Sequence, residues 1–311
     1  MFEPLKLLWG TVLLRPYVFA FLAAYIVAGW RHIGLKRTLA YIPAGYAIAW
    51  ISEFSSIHWG FPYGDYFYIQ STAGRELWVF GVPFMDSLSY VFLSYCSYSL
   101  AVFLMSPLAL RSGNLVVLET PRIRCSWQTL ILGAFFFVLL DIVIDPVALL
   151  GERWFLGKIY GYRYEGLYFG IPMSNFAGWL LVGAVLTAAL QALDRMHFLD
   201  SRLSRPGNRL SWMRLLGPAL YFSVLVFNIA VTFSIGEMLL GLVDLLLFST
   251  LLVPMVFFTI HKNSALSAET VDAYLLQHSS MSGDTRSIAP DPDLPRHFAQ
   301  HRGWNTQKSG D

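Results

Sequence analysis

Two aspartates stand four residues apart in the segment Asp141-Ile-Val-Ile-Asp145-Pro146, inside one of the most apolar stretches of the chain. On a helix that spacing puts both carboxylates on one face. Two negative charges side by side in a poor dielectric are costly, so the pair is expected to keep a proton, and one member becomes a candidate proton donor. The plainer alternative is that Asp145, next to Pro146, ends a helix and binds freed backbone amides. A second concentration is EFSSIHWGFPYGDYFY, residues 53–68, which joins Glu53, His58 and Asp65 to a loop with two glycines and a proline. Such a loop must sit at a membrane surface or fold back between helices. A third is GLYFGIPMSNFAGW, residues 166–179, where Asn175 brings donors and acceptors about one turn into an apolar helix. It can orient a water or pair with a neighbouring helix.

Ionisable groups inside apolar spans are functional hypotheses by default. Here they are Glu53, Asp86, Asp141, Asp145, Glu237 and Asp244, all acids, with no lysine or arginine at comparable depth. The excess calls for protons or bound cations, although any one acid can be a neutral hydrogen-bonding group between helices. From residue 50 to residue 98, 15 of 49 residues are aromatic, about twice the chain's 16%. A belt of Trp and Tyr at the membrane surface explains part of this. The functional alternative is a cavity for a long apolar substrate whose walls stabilise a developing positive charge.

The elements that must position these groups are membrane spans. The chain has 311 residues, 56% apolar and only 14% charged, where a soluble domain has about 25%. An all-α, multi-pass bundle of about seven helices is expected, with six or eight possible, over residues 16–30, 38–57, 79–105, 127–144, 172–193, 215–234 and 238–260. The first is short and can extend back toward Leu7, with Arg15 snorkelling to the interface. Residues 1–261 form the membrane domain, and 262–311 read as a polar, disordered cytoplasmic tail. Eleven Lys and Arg fall in the loops on one side and six on the other, which puts the C-terminus in the cytoplasm and the linkers 58–78 and 145–171 on the opposite face. The N-terminal MFEPLKLLWGTVLLRP shows no clear cleavage site and is expected to be retained.

Several classes drop out. A net charge of +2 without a basic, aromatic-interleaved patch argues against nucleic acid. Cys96 and Cys125 make neither a disulfide framework nor a CxxC site. Of seven histidines four lie at or beyond the last span, too few for the boxes of a membrane di-iron enzyme. His297 and His301 have i, i+4 ligand spacing but follow PDPDLP in the tail. Span seven has no lysine for a retinal Schiff base, no internal repeat supports an inverted-repeat transporter, and Walker, GxSxG and GxGxxG motifs are absent.

The combination of GFPYGDYFY, VPFMDSLSYVFLSY, DIVIDP and YFGIPMSNFAGW resembles the integral-membrane carotenoid biosynthesis family that includes the bisanhydrobacterioruberin and gamma-carotene hydratases. The likeness covers roughly residues 40–195; the last two spans match only in character and the tail not at all. It implies addition of water across the terminal C1=C2 double bond of an acyclic carotenoid end group, giving a tertiary alcohol. The substrate would be an acyclic or monocyclic carotenoid in the bilayer, with membrane lipid and other carotenoid-pathway enzymes as partners. The chain would sit in the cell's inner membrane and need no cofactor or metal. The chemistry requires an acid to protonate C2, surroundings that tolerate a tertiary cation, and a water with a base beside it. Asp141 or Asp145 is the expected acid, with the other carboxylate or Glu53 as base. Asp65, Asp86 and Asn175 are candidates to position water, and Trp59, Tyr63, Tyr66, Tyr168 and Trp179 to wall the cavity. Three other readings use the same features: an intramembrane prenyltransferase with Mg²⁺ on Asp141 and Asp145, a non-catalytic carotenoid-binding or assembly protein, and a proton-coupled transporter.

Overall fold

A backbone in hydrocarbon must satisfy its own hydrogen bonds, and the apolar stretches do so as helices. The structure, a computed structural model, describes residues 3–111, 114–117, 119–196 and 211–263. Residues 264–311 of the tail expected to be disordered, with the His297/His301 pair, lie outside the described residues, while 262 and 263 continue the last helix. The chain runs through α1 (Glu3–Leu14), α2 (Pro16–His32), α3 (Leu35–Trp59), β1 (Tyr66–Tyr68), β2 (Trp78–Val79), β3 (Val82–Pro83) and α4 (Phe84–Met105). It continues through β4 (Leu108–Arg111), β5 (Asn114–Val117), α5 (Pro121–Arg124), α6 (Trp127–Leu149), β6 (Tyr160–Tyr162), α7 (Met173–Arg195), α8 (Leu216–Ser234) and α9 (Met238–Asn263).

Among the described residues five helices, α4, α6, α7, α8 and α9, are long and apolar enough to cross a membrane. The α1–α2 pair makes a sixth if it is one broken span. α3 has 25 residues but is less apolar, because Ser52, Glu53, Ser55, Ser56 and His58 interrupt its second half. The all-α bundle is therefore as expected, and the count of about seven becomes five or six by length and composition. α6 runs through Pro146 to Leu149, so Asp145 does not end a helix.

α4 is the central helix. It packs on α2, α3, α6, α7 and α8, and 83% of its apolar window is buried, so its charged and polar side chains are confined to Asp86 and small serines among apolar and aromatic residues. Small residues let neighbours close in: a Cβ on Gly217 of α8 would stand 2.0 Å from the Ser99 hydroxyl of α4.

Arg15 departs from its expected role. α1 and α2 meet at 91°, and the Arg15 side chain at the elbow is 1% exposed. It donates to Glu76 through Nε at 3.1 Å and Nη2 at 3.0 Å, and through Nη1 to the Leu156 carbonyl. Buried acceptors hold it inside, where an unpaired arginine would have reached for the interface.

The two ends of the bundle differ. At one, β1 pairs with β6, which ties the 60–83 and 150–172 linkers together. At the other, Arg124 donates to Asp194 at 2.6 Å, and Glu119 accepts from Arg214 at 2.7 Å and pairs with His32 at 3.0 Å. Burial pushes the Glu119 carboxyl up, but Arg214 and His32 outweigh it and hold it well below the usual carboxylate range. A depressed folded value makes this contribution fully present above the unfolded value of about 4.3 and lost as pH falls beneath it. In detergent, Glu119→Gln is expected to lower the thermal midpoint at neutral pH and to lessen its fall with acid, as read by scanning fluorimetry. Parallel profiles for variant and parent would contradict this.

Candidate active site

Two short segments with the same Tyr-x-Tyr pattern form a roof. Tyr66 pairs with Tyr162 and Tyr68 with Tyr160 across β1 and β6, and the two-residue period of a strand puts all four phenols on one face. Phe67 lies on the other, over Gly161, whose Cβ would stand 3.3 Å from the ring. The phenols meet carboxylates from three helices. Glu53 of α3 accepts from Tyr68 at 2.8 Å and from Tyr66 and from Tyr90 of α4. Asp86, at the start of α4, also accepts from Tyr68. Asp145 of α6 accepts from Tyr160 at 2.5 Å and from Tyr162 at 2.7 Å. A phenol has one proton, so Tyr68 donates to one of the two carboxyl groups it bridges and the other must bring its own.

Asn175 closes the cluster from α7. Its amide donates to Asp141 Oδ2 at 2.8 Å and to Asp145 Oδ2 at 2.9 Å, one N–H for each. Asp141, Asp145 and Asn175 are all buried. Asp141 Oδ1 is enclosed and has no hydrogen-bond partner among the described residues. The start of α7 comes this near because residue 178 is glycine: a Cβ there would stand 2.6 Å from both the Pro62 carbonyl oxygen and the Tyr63 ring. One residue on, Trp179 stacks on Tyr90 at 4.7 Å and lies 4.7 Å from Phe137. Trp179, Tyr63 and Tyr90 thus give the carboxylates an aromatic wall.

A cavity of about 50 Å³ lies among these groups, lined by Glu53, Asp86, Asp145, Asn175, Trp179 and the tyrosines. It is polar and has room for water. Beside it, walled by α2, α4, α6 and α8, is a mainly apolar cleft of about 110 Å³ that shares Asp86, Asp145, Tyr160 and Trp179 with it. A third cleft, about 470 Å³, lies over the outer face of the roof, with Glu152, Lys158, Glu165 and Glu237 around it, and shares Tyr162 with the polar cavity.

The structure brings together Glu53, Asp86, Asp145, Asn175, Tyr63, Tyr66 and Trp179 in one cavity wall. Asp141 is not in that wall but behind it, reached through Asn175. Three expected residues stand apart. Trp59 ends α3 and is 73% exposed. Asp65 is exposed because it precedes β1 and alternates outward with Phe67. Tyr168 packs on Phe169 and Phe176 and is not in the cavity wall. Of the other acids, Glu237 pairs with Arg153 in the α8–α9 turn and Asp244 lies beside Thr232. Four residues were missed: Tyr68, Tyr90, Tyr160 and Tyr162. For Tyr68, Tyr160 and Tyr162 the repeated Tyr-x-Tyr, at strand spacing inside two linkers, was the available signal; Tyr90, within α4, had none.

Asn175→Leu removes both donors from buried acceptors, which costs about 1–3 kcal/mol of stability. A lower thermal midpoint in detergent is the expected result; an unchanged midpoint would mean that the amide bridge contributes nothing.

The profile of a family described as carotenoid biosynthesis protein matches residues 11–251. No curated protein and no solved structure matches the chain.

Proposed function

The chain belongs to the carotenoid biosynthesis protein family, and on that premise we propose that it hydrates the terminal C1=C2 double bond of an acyclic carotenoid end group to a tertiary alcohol, without a cofactor. The observation that carries this reading is the shared wall: an apolar cleft and a polar, water-sized cavity meet at Asp86, Asp145, Tyr160 and Trp179. Addition of water to an alkene needs that junction, with hydrocarbon on one side and acid and water on the other.

Asp145 is the acid: like Asp86 it faces both spaces, and it is the one of the two joined through Asn175 to a second carboxyl group, Asp141. Its carboxyl proton goes to C2, the π electrons form the new C–H bond, and the cation is left at tertiary C1. Trp179, Tyr90 and Tyr160 offer their ring faces to that cation. The oxygen of a water in the polar cavity attacks C1, and the proton it releases goes to Glu53 or Asp86. Asp141 acts through Asn175, whose amide bridge holds the Asp145 carboxyl group in place. The basic end of the bundle is on the cytoplasmic side of the cell membrane, which puts the site near the outer face. An intramembrane prenyltransferase is less well supported. Among the described residues no lysine or arginine lines the cavity to hold a diphosphate, and the Asp145 oxygens already accept from phenols and an amide.

The test is expression in a host that accumulates lycopene, with the pigments analysed by liquid chromatography and mass spectrometry. A product heavier by one water with an unchanged chromophore is expected. Unchanged pigment with acyclic and monocyclic carotenoids alike, although the protein is in the membrane, would overturn the reading in favour of a binding or assembly protein.

A further inference from the structure

We infer that the seam between α2 and α8 is a lateral doorway through which a polyene reaches the carboxylates end-first from the bilayer, and that the apolar cleft behind it is the seat of the terminal isoprenoid unit. This rests on the proposed hydration for the identity of the ligand, not for the route. The cleft is walled by Val18 and Phe21 of α2, Leu93 of α4 and Val224 of α8, and it ends on Asp86 and Asp145. Val18, Leu93 and Val224 are buried, so this part of the wall is apolar and enclosed. Its rim is a group of partly exposed rings that bridge the two helices. Tyr17 stacks on Phe227 at 5.5 Å with 19° between planes, and Phe21 meets the same ring edge-on at 5.6 Å. Phe155, 59% exposed, lies 5.5 Å from Tyr17.

Ring-on-ring contacts carry no directional hydrogen bond, so such rings can slide apart, as a gate for hydrocarbon must. The cleft holds only a chain end, so the rest of a long polyene must lie along the seam among lipid tails. Water has a different way in. Tyr162 is the partition between the polar cavity and the cleft over the roof, so hydrocarbon and water approach Asp145 from opposite sides. The elbow fixes the doorway, because Tyr17 is two residues after Arg15, and Arg15 holds the carbonyl of Leu156, a residue of the cleft wall.

The test fills the cleft from two walls in the full chain, with Ser89→Phe on α4 and Ala148→Phe on α6, and adds a ring on lipid-facing α7, Leu180→Phe, as control. The proteins are purified in detergent from the lycopene-accumulating host, and bound pigment per protein is read from the visible spectrum of the monodisperse fraction. Both fillers are expected to lower bound pigment at least about tenfold, with Leu180→Phe at the parent level. If either filler yields monodisperse protein with pigment at the parent level, the doorway is wrong even where hydration is intact. Pigment that is bound, displaced by the fillers and never hydrated would instead sink the hydratase reading and leave the doorway standing.

Discussion

Asp145→Asn is expected to lower hydration by about 10²–10⁴-fold, the range for loss of a general acid, while the protein still folds and binds pigment. Asparagine has the same shape: with its amide oxygen in the Oδ2 position it still accepts from Tyr162 and Asn175, and its NH2 in the Oδ1 position donates to the Tyr160 hydroxyl oxygen. What disappears is the transferable proton. Asp141→Asn tests the other half of the pair. Asp141 touches neither the cavity nor the cleft, and it reaches Asp145 through the Asn175 amide. As a positioning residue it should reduce turnover less and also move the pH–rate profile, which a merely structural defect would leave in place. Pigment analysis of membranes containing each variant, with thermal midpoints in detergent as the folding check, gives both readouts. Parent-level turnover in both variants would remove the acid pair from the mechanism.

Arg15→Ala is expected to cost about 3–5 kcal/mol of stability, the range for breaking a buried ion pair by removing one partner. The guanidinium is enclosed at the α1–α2 elbow and bonds Glu76 twice and the Leu156 carbonyl once. Without it, Glu76 keeps the Thr72 hydroxyl as a donor but no counter-charge. An exposed arginine would cost within about 0.5 kcal/mol, so the two cases are easily told apart. Removing both charges, in Arg15→Met with Glu76→Leu, should recover much of the loss, because the apolar pair leaves no buried charge behind. Equilibrium unfolding in mixed micelles measures this, and a loss under about 1 kcal/mol for Arg15→Ala would mean that the elbow is not held by this pair.

The helices were legible because length and hydropathy are local properties. An unbroken apolar run has one way to satisfy its backbone in lipid, and α6 and α7 appear close to where the composition puts them. The Asp141/Asp145 pair was legible for the same reason, since four residues on a helix is a local distance. What was not legible depends on contacts remote in sequence. Arg15 was expected to snorkel because its neighbours are apolar, and its partner Glu76 is 61 residues away. The roof escaped notice because strands of three residues are too short to establish a period, and its tyrosines acquire meaning only when residues 66–68 pair with 160–162. Trp59 and Asp65 show the reverse. Their types suited the chemistry, but Gly60, at φ 71°, ends α3 just after Trp59, and strand alternation turns Asp65 outward beside it.

The most direct measurement follows the atoms of the added water. Membranes carrying the protein are given the acyclic carotenoid in H₂¹⁸O, and separately in D₂O, and the alcohol is examined by mass spectrometry and NMR. Proton-initiated hydration predicts one ¹⁸O at C1 and one deuterium at C2, with neither label incorporated by the Asp145→Asn protein. An alcohol whose oxygen does not come from water, or labelled product at the parent rate from the Asp145→Asn protein, would contradict it.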